Sequence, residues 1–319
     1  MSRISWRRAL AAVALGASAV LLTACGSSTT ESALKPARLI VFGDAFSDVG
    51  QAGVRYTVND GTTNNWLQQV AAEYGVPITA SDSGGFGYAR NGARIKEKPN
   101  LLGSADAQTV TEQAAAFLSA GNVYGSNDLV FVNGGMSDVI VQAKAFLAGS
   151  QTQDQMVANA RQAGTDLGAV VRSVVASGAK YVAVAGTINV GITPWAQATG
   201  QASAIEEASL AFVTALKISV VDLGSNVLIL EADYYFNQAQ REPRNFSMNN
   251  SAQVACTSTD AGVGIGIGAG EVNSALCTTS TIASGVTYNS YMFADKLYTT
   301  PNLQRLFGTY IYGKLTNRW

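Results

Sequence analysis

The chain has 319 residues, 47% of them hydrophobic, which is enough for one large α/β domain and too apolar for a disordered chain. It carries 21 basic and 22 acidic residues and no histidine at all. The lack of any Lys/Arg run in the body argues against nucleic acid as a partner, and the lack of His excludes a Ser-His or Cys-His base and His-ligated zinc. No metal or cofactor is implied.

The first segment has the layout of an export signal. Arg3, Arg7 and Arg8 form a positive start, and an apolar stretch follows from Ala9 to Leu22, too short for a comfortable membrane span. Removing those arginines leaves 18 basic against 22 acidic residues, a net charge of −4. The stretch ends in Leu22-Thr23-Ala24-Cys25, which resembles the bacterial lipobox, where lipid is attached to the Cys and the chain is cut before it. The expected organisation is a signal peptide over 1–24, a lipidated Cys25 with a flexible tether over 25–36, and a folded domain over 37–319. Gly26, rather than Asp, follows the Cys. By resemblance to Gram-negative lipoproteins this implies an exported protein lipid-anchored at the outer membrane, on its periplasmic or surface face.

Beyond the tether, Arg38–Phe42 is a short apolar run closed by Gly43 and predicts a buried strand. The runs 128–132, 180–185 and 226–230 predict three more, of the continuous kind that suits parallel strands covered on both faces. Between them, Met156, Ala160, Ala163, Leu167, Val170 and Val174 recur at helical spacing. Helices are also predicted over 65–74, 206–221 and about 302–315, the last entered through Pro301. Strands alternating with helices predict a three-layer, doubly wound parallel sheet in a single domain. The stretch 243–291 breaks this rhythm. It is rich in Ser, Thr, Asn and Gly, and its run from Gly262 to Gly268 does not clearly join a strand to a helix, so it is a weak phosphate-binding signal. It predicts a long surface loop. Cys256 and Cys277 lie in it; an exported protein meets an oxidising compartment, so a disulfide is expected, with two buried free thiols as the alternative.

Directly after the first strand comes Val41-Phe42-Gly43-Asp44-Ala45-Phe46-Ser47-Asp48-Val49-Gly50. This resembles the signature of the GDSL (SGNH) esterases, F-G-D-S-x-S-D-x-G, with Ala45 where the family has its nucleophilic Ser. Further blocks follow in the family's order. Gly87-Tyr88-Ala89-Arg90-Asn91-Gly92-Ala93 resembles N-Y-A-x-G-G-A, and Gly92 takes the position whose backbone N–H serves the oxyanion hole. Asn133 to Asp138 resembles G-x-N-D, with Ser137 at the oxyanion Asn. Ile188 to Pro194 resembles the stretch after the next strand. Phe293 to Thr300 resembles F-x-D-x-x-H-P-T, with Asp295 at the triad acid and Tyr298 at the His. The resemblance spans roughly 38–315 and implies a flavodoxin-like SGNH fold; the Cys pair and Pro243 resemble the phospholipase, lecithinase or hemolysin subgroup.

Acyl transfer needs a nucleophile, a base and oxyanion donors. Ala45 has no nucleophilic atom, and a phenol with an ordinary pKa of about 10 is a poor base at neutral pH. Ser137 is shorter than Asn, so its hydroxyl reaches less far. Asp44, Asp48 and Asp138 are expected to support loops and cap helices. The leading expectation is a non-catalytic, membrane-anchored binding protein that offers an esterase-like cleft to a lipid, an acyl chain, a glycan or a partner protein. The alternative is an active hydrolase of altered mechanism, through Ser47 or through a carboxylate pair such as Asp44 and Asp295. A third reading is an interaction lipoprotein with no ligand.

Overall fold

Four apolar runs form the central sheet in this computed structural model, which describes residues 32–319. The expected export signal, Cys25 and the expected tether as far as Glu31 lie outside the described residues. Strands β1 (Arg38–Phe42), β2 (Asp128–Asn133), β3 (Tyr181–Ala185) and β4 (Val227–Leu230) pair in parallel in the order β1-β2-β3-β4. On the free side of β1, the segment 86–88 extends the sheet: Val41 N–H donates to the Phe86 carbonyl (2.9 Å) and Tyr88 N–H to the Val41 carbonyl (2.7 Å). The chain's second extended pass therefore lies to one side of β1 and its third, β2, to the other. That reversal is the hallmark of a doubly wound sheet, and it opens a crevice at the carboxyl ends of the strands flanking it.

Helices cover both faces. They are α1 (Trp66–Tyr74), α2 (Val110–Ser119), α3 (Met136–Leu147), α4 (Gln153–Ala176), α5 (Pro194–Ala198), α6 (Ala202–Val220), α7 (Ala232–Arg241) and α8 (Pro301–Arg318). Side chains alternate along a strand, so Phe42 and Phe131, one register step apart, point to opposite faces. Phe42 meets Phe117 of α2, whereas Phe131 meets Trp66 of α1, which in turn packs on Phe307 of α8. The layer with α1 and α8 thus lies opposite the layer in which α2, α3, α4 and α6 pack together.

The last-named layer depends on close approach. A Cβ on Gly164 of α4 would stand 2.2 Å from the Phe212 carbonyl of α6, and one on Gly168 would stand 2.3 Å from Ser219 Cβ. Two glycines four residues apart lie on one helical face, and their bare backbone lets α6 sit flush against α4.

Three differences from the sequence expectations have physical reasons. Helix α4 begins at Gln153, ahead of the apolar repeat, because Thr152 and Gln155 form a reciprocal capping box over a polar first turn. Leu34 and Pro36, placed in the tether from sequence, are buried, and Leu34 joins the main core; its N–H donates to the Trp319 carbonyl (3.1 Å). The 243–291 stretch is not purely a surface loop. It contains four short strands, β5 (Asn250–Val254), β6 (Thr259–Asp260), β7 (Glu271–Val272) and β8 (Tyr291–Phe293), and sinks Met248 and Ile265 into the core. Cys256 and Cys277 are joined, with Cα atoms 6.0 Å apart, in a small satellite cluster with Val58 and Ala294.

The contact between α4 and α6 is open to a direct test. Gly164→Ala should destabilise the protein by about 1–3 kcal/mol, because the new methyl meets rigid backbone. Gly313→Ala, in α8 with nothing within 4 Å of its Cβ position, should stabilise it by about 0.5–1 kcal/mol. Urea unfolding of the two variants checks both signs.

Candidate functional site

The crevice begins where the chain leaves β1. Gly43 is held by a two-way clamp: its N–H donates to Gln113 Oε1 (2.7 Å) and its carbonyl accepts from Gln113 Nε2 (2.9 Å). Asn133, at the end of β2, accepts from Asp44 N–H (3.3 Å), and a Cβ at position 43 would stand 2.6 Å from that side-chain oxygen. A side chain at 43 would push the Asn133 amide out of this contact. Asp44 then caps a single 3-10 turn over Ala45–Ser47 by accepting from Phe46 N–H (3.1 Å). Asp48 closes the turn, accepting from Gly50 and Gln51 N–H groups (both 2.8 Å).

The other family positions converge on this turn. Arg90 N–H donates to the Gly43 carbonyl (3.0 Å), which brings the Arg90-Asn91-Gly92 segment alongside. Gly92 is buried with φ +70°, backed by Asn100 and Leu102. Ser137 is buried in the first turn of α3. Beside it, Asp138 accepts from Ile95 N–H (3.0 Å) and pairs with Arg94 (3.1 Å), which ties the Gly92 loop to the Ser137 helix. Asp295 accepts from three backbone N–H groups, those of Ser274 (2.9 Å), Leu297 (2.8 Å) and Tyr298 (2.7 Å). The acid at 295 thus fixes the backbone of the loop that carries residue 298. The ring of Tyr298 packs on Tyr56 with centroids 5.2 Å apart.

Solvent is shut out of this arrangement. Ala45 is 2% exposed, Tyr298 3%, and Ser47 and Asp295 0%. Burial pushes the Asp44 carboxyl up to about 7, against the hydrogen bond from Phe46 and with help from the nearby Asp138 charge. Burial also lifts Asp138 to about 6, outweighing the attraction of Arg94, and Asp295 to about 6 despite its three donors. The Tyr298 phenol is driven well above its ordinary value, first by burial and then by the charges of Asp44 and Asp295. A phenol so placed holds its proton and does not act as a base. Ser47 Oγ is buried without a hydrogen-bond partner among the described residues, and the second oxygen of Asp44 is likewise unpartnered.

Asp44, Asp48 and Asp138 have the supporting roles expected of them. Sequence reasoning missed Gln113 and Asn133, which hold the turn in place. A polar residue inside an apolar helical pattern, as Gln113 is in Val110–Ser119, was the available signal for the first; the second stood in plain view at the end of a strand.

The fold and this ordered set of blocks define a hydrolase-type α/β crevice of the GDSL kind. The sequence profile described as GDSL-like Lipase/Acylhydrolase matches residues 39–265, and the chain belongs to that family. It is similar in structure to phospholipase A1 from Streptomyces albidoflavus NA297 (15% identity, TM-score 0.46, covering 87% of this chain and 98% of that one). It is also similar to Est24, a carbohydrate acetylesterase from Sinorhizobium meliloti (13%, 0.47, 88% and 99%). A third is the inhibitor-bound aryl esterase of M. smegmatis (11%, 0.47, 88% and 99%). No curated protein matches the chain.

The raised carboxyls set a pH dependence. A folded pKa near 7 against an ordinary 3.8 means that Asp44 keeps a proton in the folded chain that the unfolded chain has released. Folding stability therefore falls as pH rises from about 4 to about 7. Asp44→Asn should remove this penalty, stabilising the protein at pH 8 by on the order of 2–4 kcal/mol and leaving it nearly unchanged at pH 4. Denaturant titrations at the two pH values measure it; an equal effect at both would contradict the assignment.

Proposed function

We propose that this is a catalytically silent member of the GDSL-like family, held at a membrane through lipid on Cys25 and acting by binding rather than by turnover. The observation that carries the reading is Ala45, a methyl group at the nucleophile position, sealed in with Tyr298 at the base position. Three replacements at three separate positions, Ala45, Ser137 and Tyr298, together with a chain that lacks His altogether, favour a degenerate natural member over a single inactivating change.

The buried centre also redefines the expected cleft. An acyl group cannot reach Ala45, so a lipid, acyl or glycan ligand meets the mouth, where Tyr56 and Asn91 are only half-buried. Among the described residues no helix is long and apolar enough to cross a membrane, which leaves the lipid on Cys25 as the anchor in this reading. The outer membrane remains the proposed location, on the strength of Gly26 after the lipobox.

Purified protein should show no turnover of a short-chain p-nitrophenyl ester, and Ala45→Ser alone should restore none, since the new hydroxyl has no base. Ala45→Ser with Tyr298→His supplies both, and activity should first appear there because such residues act as a unit. Wild-type hydrolysis that vanishes with Ser47→Ala would refute the silent reading.

Fractionation of expressing cells addresses the anchor. Wild-type protein should be found with the membranes and Cys25→Ser protein in the soluble fraction. A Cys25→Ser protein still firmly in the membrane pellet would show that lipid at this residue is not what holds it.

A further inference from the structure

The amino ends of the strands form the edge of the sheet opposite the family site, and their surroundings differ in kind. Helix α6 ends there and leads into the turn Val221–Asn226. Ile218 is 69% exposed and Val221 75% exposed, and farther up the same helix Leu210 is 61% exposed. Leu210 and Ile218 line one shallow groove between α4 and α6, of about 560 Å³, together with Val157, Ala211 and Ala215. Leu210 and Ile218 on α6 and Val221 in the turn after it thus leave apolar side chains in water at this end of the molecule.

What surrounds them points to the occupant. Trp319 lies over Tyr181 with ring centroids 5.3 Å apart, and its indole N–H donates to the Ser225 carbonyl (2.8 Å) of the turn that follows Val221. Arg318 donates to the Gly224 carbonyl (2.9 Å) in that turn, and the Lys180 ammonium sits 4.9 Å from the Tyr181 ring. Arg172 is paired with Asp222 and Lys217 with Asp233, and Lys180 and Arg318 add two further basic groups at this corner. Exposed aliphatic side chains at the end of α6, with Trp, Tyr, Lys and Arg gathered at the turn that follows, have the composition of a surface that seats in the headgroup layer of a bilayer.

The chain's own path adds an independent observation. The body begins at Leu34, whose N–H donates to the Trp319 carbonyl (3.1 Å), so the N-terminal segment leaves the fold at this same corner. Nine peptide units separate Cys25 from Leu34, which span at most about 30 Å when fully extended. A lipid on Cys25 holds this corner, not the crevice, nearest to the membrane.

We infer that the corner formed by Ile218, Val221, Trp319, Tyr181, Lys180 and Arg318 is a membrane-docking surface that seats on a phospholipid bilayer and turns the family site toward water. The inference rests on the lipid-anchor reading of Cys25. The two separate experimentally, because an anchor can be supplied chemically whether or not the cell attaches one.

The chain beginning at Cys25 is coupled through that thiol to maleimide lipid in phosphatidylcholine/phosphatidylglycerol vesicles, with Cys256 and Cys277 engaged in their disulfide. The mature chain has three tryptophans. Trp66 and Trp195 are buried, so Trp319 is the reporter. With brominated phosphatidylcholine in the bilayer, the Trp319 share of the emission should be lost. The loss should disappear in Trp319→Phe and be largely reversed in the double variant Ile218→Glu, Val221→Glu, whose exposed positions tolerate charge without disturbing the fold. Unquenched emission from the tethered wild type, or quenching untouched by the glutamates, would overturn the docking surface while leaving the anchor reading to the Cys25→Ser fractionation. Quenching here, with Cys25→Ser protein still membrane-bound in cells, would retain the surface and remove lipid on Cys25 as its cause.

Discussion

The structure turns on a desolvation problem at the carboxyl edge of the sheet. Four aspartates, Asp44, Asp48, Asp138 and Asp295, are buried where β1, β2 and the segment after β8 come together. A buried carboxylate is costly unless its oxygens find donors, and only Asp138 has a direct ionic partner, in Arg94. The others are satisfied chiefly by backbone N–H groups: Phe46 for Asp44, Gly50 and Gln51 for Asp48, and three donors for Asp295. Each aspartate therefore fixes the loop that buries it. The Gln113 clamp on Gly43 and the Asn133 contact to Asp44 follow the same logic, since a turn sealed from water must have every polar backbone group accounted for.

Such a framework suits an esterase, in which loops must hold a nucleophile, a base and oxyanion donors in fixed relation. Here the framework remains and the reactive atoms do not. Tyr298 is buried beside the turn, close enough for the charges of Asp44 and Asp48 to act on its phenol. Its ring packs at a tilt against Tyr56 and belongs to the main hydrophobic core. A working histidine would need solvent or substrate beside it and would leave this volume underpacked. The remaining liability is Asp44, whose second oxygen has no partner and whose proton is correspondingly hard to remove.

The parallel sheet was legible in the sequence because strands covered on both faces are continuous apolar runs, and Leu39 to Phe42 or Leu129 to Val132 have no other plausible fate. The family blocks were legible because they sit directly after those strands. Helices α2 and α7 were not, since Gln113 interrupts one apolar face and the other is short and mostly polar. The segment 86–88 was legible as part of a family block but not as a strand, because it pairs with β1 through only a few hydrogen bonds and is interrupted by Gly87. Burial of the site could not be read from residue types at all: whether Tyr298 points into the core or toward solvent is decided by packing on Tyr56, distant in sequence, and by the backbone geometry that Asp295 fixes. The core role of Ile265 within a glycine-rich stretch was hidden for the same reason.

The two edges of the sheet bear on what such a protein can bind. In a parallel sheet, strand starts and strand ends lie on opposite sides of the molecule, so the corner at Leu34 and Trp319 and the crevice at Ala45 are separated by the full length of β1 and its neighbours. A lipase that attacks the bilayer holding it must present its crevice to that bilayer. A body tethered by its amino edge on a leash of nine peptide units presents the crevice to the aqueous side. Within the proposed anchoring, a partner of the Tyr56 and Asn91 mouth is therefore one that arrives through water, and among lipid, acyl and glycan ligands this favours a soluble or surface-borne group over the acyl chains of the protein's own membrane.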